Sequence, residues 1–202
     1  MLKANVAVLV SGGGTNLQAL IDAENNGIIS NGSIKLVISN NANAYALERA
    51  KKAGIKTEIV LKSQLETQDA FESAIIELLE SNNIDLIVLA GFMSILSANF
   101  TKHFSDKIIN VHPSLIPSFC GKGFYGLKVH EAALAYGVKV SGATVHFVNE
   151  IPDGGKIIMQ RAVEILDDDT PETLQKRIME EAEWKILPLA CEKICTQIVK
   201  EK

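Results

Sequence analysis

Four short apolar runs, each followed by a segment long enough for a helix, constrain the fold more than any other feature of this sequence. Strands that alternate with helices favour right-handed crossover connections and a parallel sheet that is covered by helices on both faces. The four runs are NVAVLV at 5–10, IKLVIS at 34–39, KTEIVL at 56–61 and IDLIVLA at 84–90.

The pattern changes after a fifth predicted strand at 107–112. A loop rich in glycine and aromatic residues at 118–126 precedes a predicted helix at 127–136, and strand-like runs follow at 138–149 and 156–165. The letters IPDGG join these two runs and are typical of a hairpin-type turn. The predicted fold is therefore α/β: a Rossmann-like, mostly parallel sheet with helices on both faces and an antiparallel C-terminal extension.

Capping residues indicate where two of the helices begin. Thr67 is the predicted N-cap of the helix that precedes the fourth strand. Thr170 and Pro171 supply the cap and the first-turn proline of the last helix. Pro188 is expected to kink or break that last helix, because proline lacks the N–H group that a helix interior uses.

The length predicts a single domain. A chain of 202 residues with 47% hydrophobic content can bury one substantial core, and no linker or low-complexity segment interrupts it. We therefore expect one domain over 1–202, with halves at about 1–105 and about 106–202. That division uses the sites described below.

Charge and cysteine content disfavour several classes of partner. The formal net charge is −4, and the chain has only three arginines. These values disfavour nucleic-acid binding, including tRNA. There is no signal-peptide pattern and no apolar run that could span a bilayer, so a cytoplasmic protein without membrane attachment is expected. The three cysteines lack the neighbours of a metal site and are expected to be reduced thiols.

Asn110 and His112 stand at the end of the fifth predicted strand. Alternate residues of a strand share a face, so both side chains should project together from the rim of the sheet. An amide and an imidazole aimed at one point can stabilise an oxyanion and supply a proton, as transfer at a carbonyl group requires. The alternative is a polar strand end with purely structural hydrogen bonds.

The segment SGGGTN at 11–16 follows the first strand and opens the first helix, where backbone N–H groups and the helix dipole favour an anion. No Lys-Ser/Thr pair follows, and Leu17 stands where a dinucleotide fingerprint has its third glycine. These absences favour the phosphate of a small molecule over NAD or ATP. The alternative is a tight turn that only packs helix on strand. Ligands bind beyond the carboxyl ends of parallel strands, so this loop should meet those at 91–96 and 110–126.

Other polar residues have both a functional and a structural interpretation. Asp153 is either a turn residue or the carboxylate that orients His112 and favours its charged form. The apolar loop after the fourth strand could line a slot for a flat ligand or form an ordinary core edge. Glutamates 180, 181 and 183 are either a solvated face or ribose ligands. The three remaining histidines, His103, His130 and His146, are expected to be exposed or structurally satisfied.

Five segments together resemble the folate-dependent formyltransferase superfamily and, within it, the phosphoribosylglycinamide formyltransferases of purine synthesis. The resemblance runs from the first strand to about Pro188. The segments are SGGGTNLQAL, LAGFMSIL, NVHPSLIP, TVHFVNEIPDGG and EEAEWKILP.

The resemblance implies an enzyme that moves a formyl group from 10-formyltetrahydrofolate, as co-substrate, to the amine of glycinamide ribonucleotide, without a metal. It implies a monomer or weak homodimer. Its catalytic residues are Asn110, His112 and Asp153. Its substrate-binding residues are Gly13, Gly14, Thr15, Asn16, Glu180, Glu181, Ala182 and Glu183. Its folate-binding residues are Gln68, Met93, Ser94, Ile95, Leu96, Asn110, Asn149, Glu150, Ile151, Pro152 and Asp153.

The chain departs from the family pattern at Gln68 and Ser94, where basic residues for the folate tail are common, and at Cys120 and Trp184. Three other functions use similar residues. A formyltetrahydrofolate deformylase would carry an extra N-terminal domain, and a formyltransferase acting on initiator tRNA would carry a further domain and a basic surface. A non-catalytic sensor of a phosphorylated metabolite is a third alternative, because a fold does not prove a function.

Overall fold

A computed structural model describes residues 2–202 as one seven-stranded sheet with helices on both faces. The strands are β1 (Ala4–Val10), β2 (Gly32–Ser39), β3 (Lys56–Ile59), β4 (Leu86–Leu89), β5 (Ile108–His112), β6 (Val140–Phe147) and β7 (Ile157–Glu164). The helices are α1 (Thr15–Asn25), α2 (Tyr45–Lys52), α3 (Gln68–Ser81), α4 (Ala98–His103), α5 (Leu127–Tyr136), α6 (Pro171–Ile178) and α7 (Trp184–Glu201).

The sheet has the strand order β3-β2-β1-β4-β5-β6-β7. The first five strands pair in parallel, whereas β6 is antiparallel to both β5 and β7. This arrangement confirms the predicted α/β class and its antiparallel C-terminal extension. The strand order reverses at β1, so the carboxyl ends of β1, β4 and β5 form the edge where an open sheet binds ligands.

Alternation along β1 explains why helices cover both faces. Val6 and Val8 pack into a core cluster with α1, α2 and α7, whereas Ala7 and Leu9 pack into a second cluster with α3 and α4. Successive strand residues point to opposite faces, so a strand buried on both sides must be apolar throughout. Burial of these apolar side chains stabilises the fold by about 25 cal/mol for each Å² of apolar surface that is removed from water.

Thr67 is confirmed as the cap of α3, because its side chain accepts a hydrogen bond from the N–H group of Ala70 at 3.1 Å. Pro188 does not break the last helix, so that part of the prediction is wrong, whereas a kink stays a prediction. Pro188 is buried inside α7, and the helix continues to Glu201. Burial of the surrounding apolar residues offsets the cost of a proline in a helix interior, which is about 3 kcal/mol. None of the described helices combines the length and apolar character that crossing a bilayer requires.

Candidate active site

The loop between β1 and α1 has the geometry of an anion site. Gly14 precedes the first helical residue and has a left-handed conformation, with φ of 71° and ψ of 33°. Within residues 2–202, no side chain caps this helix end, and the first turn of α1 carries no acidic residue. The first backbone N–H groups of α1 are therefore available to an anion, which the helix dipole also favours.

Neighbouring glycines of this loop have different roles. A Cβ atom on Gly14 would lie 2.6 Å from the Cβ atom of Ala46, so the loop packs directly against α2. A Cβ atom on Gly13 would meet no described atom within 4 Å. Gly14 is therefore required for packing, whereas Gly13 leaves open space through which a ligand can approach the backbone.

Asn16 connects this loop to the C-terminal part of the chain. Its Nδ2 atom donates to Glu183 Oε2 at 2.6 Å. Glu183 is buried, and burial raises the pKa of its carboxyl group, although the hydrogen bond from Asn16 opposes this effect. Glu180 and Glu181 are exposed. The interpretation as a solvated acidic face is therefore correct for Glu180 and Glu181 and wrong for Glu183.

Glu183 reaches the loop from a π-helical segment, Met179–Glu183, that joins α6 to α7. The wider turn lies next to the loop, since Thr15 Oγ1 is 4.0 Å from Met179 Sδ. Ala182 is buried between the exposed glutamates and Glu183. Single π-helical turns are frequent at functional sites.

Arg49 also lies beside the loop and was not predicted. Its Nε atom donates to the carbonyl oxygen of Gly13 at 2.8 Å, and Nη1 donates to Gln18 Oε1 at 3.1 Å. The guanidinium carbon lies 5.0 Å from the ring centroid of Tyr45. A cation held here adds to the attraction for phosphate. Arg49 is 36 residues from Gly13, so only the packing of α2 reveals this proximity.

Asn110 and His112 project from the same face of β5, as predicted. The antiparallel register places His146 of β6 directly opposite Asn110. Asn110 Nδ2 lies 3.3 Å from His146 Nε2, while His146 Nδ1 lies 2.7 Å from the carbonyl oxygen of Phe147. A carbonyl only accepts, so Nδ1 carries a hydrogen. His146 is therefore satisfied at both ring nitrogens, as expected, and one of its partners is the predicted catalytic residue Asn110.

His112 is buried, and its Nε2–H group donates to the carbonyl oxygen of Phe119 at 2.9 Å. Its Nδ1 atom lies 3.5 Å from Asp153 Oδ2. The pKa of His112 is nevertheless below its usual value, because burial outweighs the attraction of Asp153 and the hydrogen bond to Phe119. Asp153 thus favours the charged ring, as expected, while burial favours the neutral one.

Asp153 is brought to this cluster by the loop between β6 and β7. The loop folds back closely: a Cβ atom on Gly155 would lie 1.7 Å from the carbonyl oxygen of Phe147. Asp153 Oδ2 accepts a hydrogen bond from the N–H group of Gly121 at 2.8 Å, and Oδ1 lies 3.6 Å from His146 Nε2. Asp153 is thus more than a turn residue, although it has the positive φ of 56° that turns use.

Burial raises the pKa of Asp153, but the interactions with His146, His112 and the N–H group of Gly121 together outweigh it and lower the pKa. Asp153 is therefore ionised at neutral pH beside two imidazoles. Phe119, which accepts from His112, also has a positive φ of 49°. Non-glycine residues in this region cluster at functional sites, where the surrounding structure maintains them.

The other histidines differ from one another. His103 is half exposed and pairs with Glu80 at 2.8 Å, as expected for a surface residue. His130 is fully buried, and neither ring nitrogen has a hydrogen-bond partner among the described residues. Burial, with a smaller contribution from His112, lowers the pKa of His130 to about 4. The expectation that His130 is exposed or satisfied is wrong.

A cavity of about 140 Å³ adjoins this cluster. Asn110, His146 and Asp153 contribute polar groups to an otherwise mixed lining, which also has the apolar side chains that small-molecule sites commonly have. The cavity brings together most of the predicted folate-binding residues. Its lining consists of Leu89, Phe92, Ser94, Ile95, Leu96, Asn110, His146, Val148, Asn149, Glu150, Ile151, Pro152 and Asp153.

The cavity continues into an open groove of about 490 Å³, and residues 94–96 line both. Lys62, Gln68, Met93 and Ser97 complete the groove. Lys62 was not predicted, and it places a positive charge in the groove beside the predicted folate-binding residues Gln68 and Ser94. That positive charge attracts an anionic ligand tail.

Hydrogen bonds confirm that the predicted loops meet. The N–H group of Met93 donates to Ser11 Oγ at 2.8 Å, so the loop after β4 contacts the loop at 11–16, the predicted phosphate loop. Asn40 Nδ2 donates to Ser94 Oγ at 2.8 Å.

A larger cavity of about 540 Å³ lies between α1 and α7, away from the imidazoles, and of the predicted residues it includes Thr15. Within residues 2–202, no group of three or more His, Cys, Asp or Glu side chains is arranged to hold a metal ion.

Comparison with known proteins places this geometry in a family. The family model described as formyl transferase matches residues 4–191. Phosphoribosylglycinamide formyltransferase of Haemophilus influenzae is 45% identical over 184 residues, which cover 91% of this chain and 84% of that protein. The trifunctional purine biosynthetic protein adenosine-3 of Bos taurus is 46% identical over 198 residues. That match covers 98% of this chain, which spans about a fifth (19%) of the bovine protein.

Solved structures agree with the sequence relatives. Glycinamide ribonucleotide transformylase 1 from Symbiobacterium toebii superposes with a TM-score of 0.90 at 40% identity, covering 96% of this chain and 89% of that chain. The phosphoribosylglycinamide formyltransferase from Brucella melitensis gives a TM-score of 0.87 at 39% identity, covering 96% of both chains. The chain belongs to the formyl transferase family and, within it, to the phosphoribosylglycinamide formyltransferases.

Proposed function

We propose that this chain transfers the formyl group of 10-formyltetrahydrofolate to the amine of glycinamide ribonucleotide. The products are N-formylglycinamide ribonucleotide and tetrahydrofolate, in de novo purine biosynthesis. The observation that carries the proposal is the convergence of Asn110, His112, His146 and Asp153 beside the cavity that most of the predicted folate-binding residues line at the carboxyl edge of the sheet. The phosphate loop lies at the same edge, one hydrogen bond away from the loop that lines the cavity.

The reaction joins the formyl carbon to the amine nitrogen and breaks the bond from that carbon to the folate nitrogen. One proton moves from the amine to the folate nitrogen. The amine attacks directly, because no side-chain nucleophile is prepared for the task. The hydroxyl of Ser114 is buried and donates to the carbonyl oxygen of Ser118 at 2.6 Å, and burial raises the pKa of the Cys120 thiol.

Asn110 is the proposed oxyanion donor. Its amide lines the cavity, and a preorganised donor in a site of low dielectric stabilises the charge that develops on the formyl oxygen. His146 holds this amide from the opposite strand at 3.3 Å. The same nitrogen of His146 also faces Asp153, so it is placed to accept from Asn110 or, when protonated, to donate to Asp153.

His112 and Asp153 are the proposed acid-base pair. His112 donates its Nε2–H group to Phe119, and its Nδ1 atom faces Asp153. A hydrogen bond from Nε2 of His112 to the substrate therefore requires the exchange of the Phe119 carbonyl. Asp153 is ionised, so it can attract a proton to His112 or, through water, accept one from the attacking amine.

The two substrates use different parts of the site in this proposal. The backbone of Gly13, Gly14 and Thr15 holds the phosphate, with Arg49 beside it, and the buried carboxyl group of Glu183 bonds to the ribose. The pterin ring occupies the cavity between residues 94–96 and 149–153. The anionic tail lies in the open groove near Lys62. No metal takes part in this proposal.

We also propose that residues 1–202 act as one domain, with a phosphate-binding half at about 1–105 and a folate-binding and catalytic half at about 106–202. Each site draws on both halves, since Glu183 reaches the phosphate loop and Ser94 lines the folate cavity. A monomeric or weakly dimeric state and a cytoplasmic location remain predictions.

The test is to follow loss of the formyl group from 10-formyltetrahydrofolate with and without glycinamide ribonucleotide. Loss that requires the nucleotide, with formation of its formylated product, is the expected result. Loss without the amine would indicate a deformylase, and no loss in either reaction would indicate a binding protein. Quenched reactions should contain no labelled acyl-enzyme, and finding one would refute direct attack.

A further inference from the structure

Glu72 is a buried carboxylate outside the chemistry described above. It lies in the first turns of α3 and is only 3% exposed. Carboxylates are rarely buried to this degree unless they are paired or fully hydrogen-bonded. The hydrogen-bond partners of Glu72 therefore indicate its role.

Glu72 bonds to the C-terminal end of the segment that lines the proposed folate cavity and, through Gln68, to the middle of that segment. Its Oε1 atom accepts from the N–H group of Ser97 at 2.7 Å and from Gln68 Nε2 at 2.6 Å, and Oε2 accepts from the hydroxyl of Ser97. Gln68 Nε2 also donates to the carbonyl oxygen of Ile95 at 3.2 Å. One carboxylate thus fixes Ser97 directly and Ile95 through Gln68.

The segment needs such anchors because it has no regular structure of its own. Residues 92–96 form neither helix nor strand, and Met93 and Ile95 are exposed, at 59% and 74%. A loop with exposed apolar side chains and no ladder hydrogen bonds takes its conformation from side-chain anchors. At the opposite end, Ser11 and Asn40 anchor Met93 and Ser94.

We propose that Glu72 is a positioning residue for the folate co-substrate: it holds residues 93–97 in the conformation that forms the cavity wall. This inference rests on the proposed function, because it assigns that cavity to the co-substrate. Glu72 acts through Ser97 and Gln68 and does not touch the reacting atoms. Its loss releases the wall of one substrate site and leaves the phosphate loop intact.

The decisive variant is Glu72→Ala, studied by steady-state kinetics with each substrate varied in turn. The expected result is a rise in KM for 10-formyltetrahydrofolate of about 10-fold, as for the loss of hydrogen bonds to a charged group. The KM for glycinamide ribonucleotide should stay within about 2-fold, and kcat at saturation should fall much less than the co-substrate KM rises.

Two further variants sharpen the test. Glu72→Gln keeps an acceptor for Ser97 N–H and Gln68, and the Ser97 hydroxyl can reverse its role, so this variant should restore most of the affinity. Glu77→Ala removes an exposed carboxylate from the same helix and should leave both KM values unchanged. Should Glu72→Ala fail to fold, Glu72→Asp shortens the reach while keeping the charge and should raise the same KM.

The competing explanation is purely structural, because Ser97 also caps α4 through the N–H group of Phe100. In that case Glu72→Ala would lower Tm and reduce kcat/KM equally for both substrates, and this outcome would overturn the inference. An unchanged co-substrate KM in an active, folded Glu72→Ala variant would overturn it too. Absence of nucleotide-dependent formyl transfer in the wild-type chain would instead refute the proposed function itself.

Discussion

The loop at 11–16, which is the proposed phosphate site, and the imidazole-carboxylate cluster lie at the same edge of the sheet, but they are built differently. The loop at 11–16 is contiguous in sequence and offers mainly backbone N–H groups at a helix end. The cluster takes Asn110 and His112 from β5, His146 from the antiparallel β6 and Asp153 from the loop that follows. The first site needs one local turn, and the second needs three segments in register.

This difference predicts different responses to mutation. A backbone site has no side chain to delete, so it fails when bulk blocks the ligand or breaks the packing of a glycine. A side-chain cluster fails when one donor, charge or orienting group is removed, and binding can survive that loss. Substitutions in the two sites should therefore separate substrate affinity from turnover.

The largest effect is expected for Asn110→Ala. Removing one oxyanion donor lowers turnover by roughly 10²-fold to 10³-fold. The affinity for glycinamide ribonucleotide should remain, because the phosphate loop is untouched. Turnover measured at saturation and calorimetric titration with the nucleotide check this prediction. Near-normal turnover would remove Asn110 from the chemistry.

Asp153→Asn tests the charge beside the imidazoles and should lower turnover on the order of 10²-fold. Asp153 raises the pKa of His112 against the larger effect of burial, so its removal lowers that pKa further. Fewer molecules then carry the proton at neutral pH, and the remaining activity should increase as the pH is lowered. The checks are pH profiles of turnover for both proteins and an NMR titration of His112. Full activity with an unmoved profile would reduce Asp153 to a turn residue.

His146→Ala tests the residue that only the strand register revealed. Loss of its hydrogen bond to Asn110 should lower turnover about 10-fold, with smaller changes in either KM. His103→Ala is the matched control, since that imidazole is exposed and pairs with Glu80 rather than with a residue of the cluster. Equal turnover of the two variants would contradict a role for His146.

The smallest and most selective effects are expected in the phosphate loop. Gly13→Val places a side chain in open space and should weaken nucleotide affinity about 10-fold without changing Tm. In Gly14→Val the added side chain would clash with Ala46, and this overpacking should destabilise the fold by about 1–3 kcal/mol. Thermal unfolding and calorimetry separate the two. Unchanged nucleotide affinity in a folded Gly13→Val variant would mean that this loop does not hold the phosphate.

Short-range patterns predicted much of this molecule. The apolar runs indicated five parallel strands, Thr67 was identified as a cap, and alternation along β5 placed Asn110 and His112 on one face. The sequence pattern predicts the ends of strands less accurately. The run at 138–149 ends sooner as a strand, at Phe147, because the chain then turns away to place Asp153, and the run at 156–165 is a strand only over Ile157–Glu164.

The sequence by itself determined the sheet, the glycine-rich turn that opens the first helix and the identity of the polar strand end, since periodicity and turn residues act over a few positions. Only the tertiary structure decided that His146 faces Asn110, that Glu183 bonds to Asn16, that Arg49 bonds to Gly13 and that Glu72 bonds to Ser97. It also decided that burial lowers the pKa of His112 against the attraction of Asp153, because desolvation depends on every segment packed around the ring. Register, burial and contacts between distant residues arise from packing, and no local pattern encodes them.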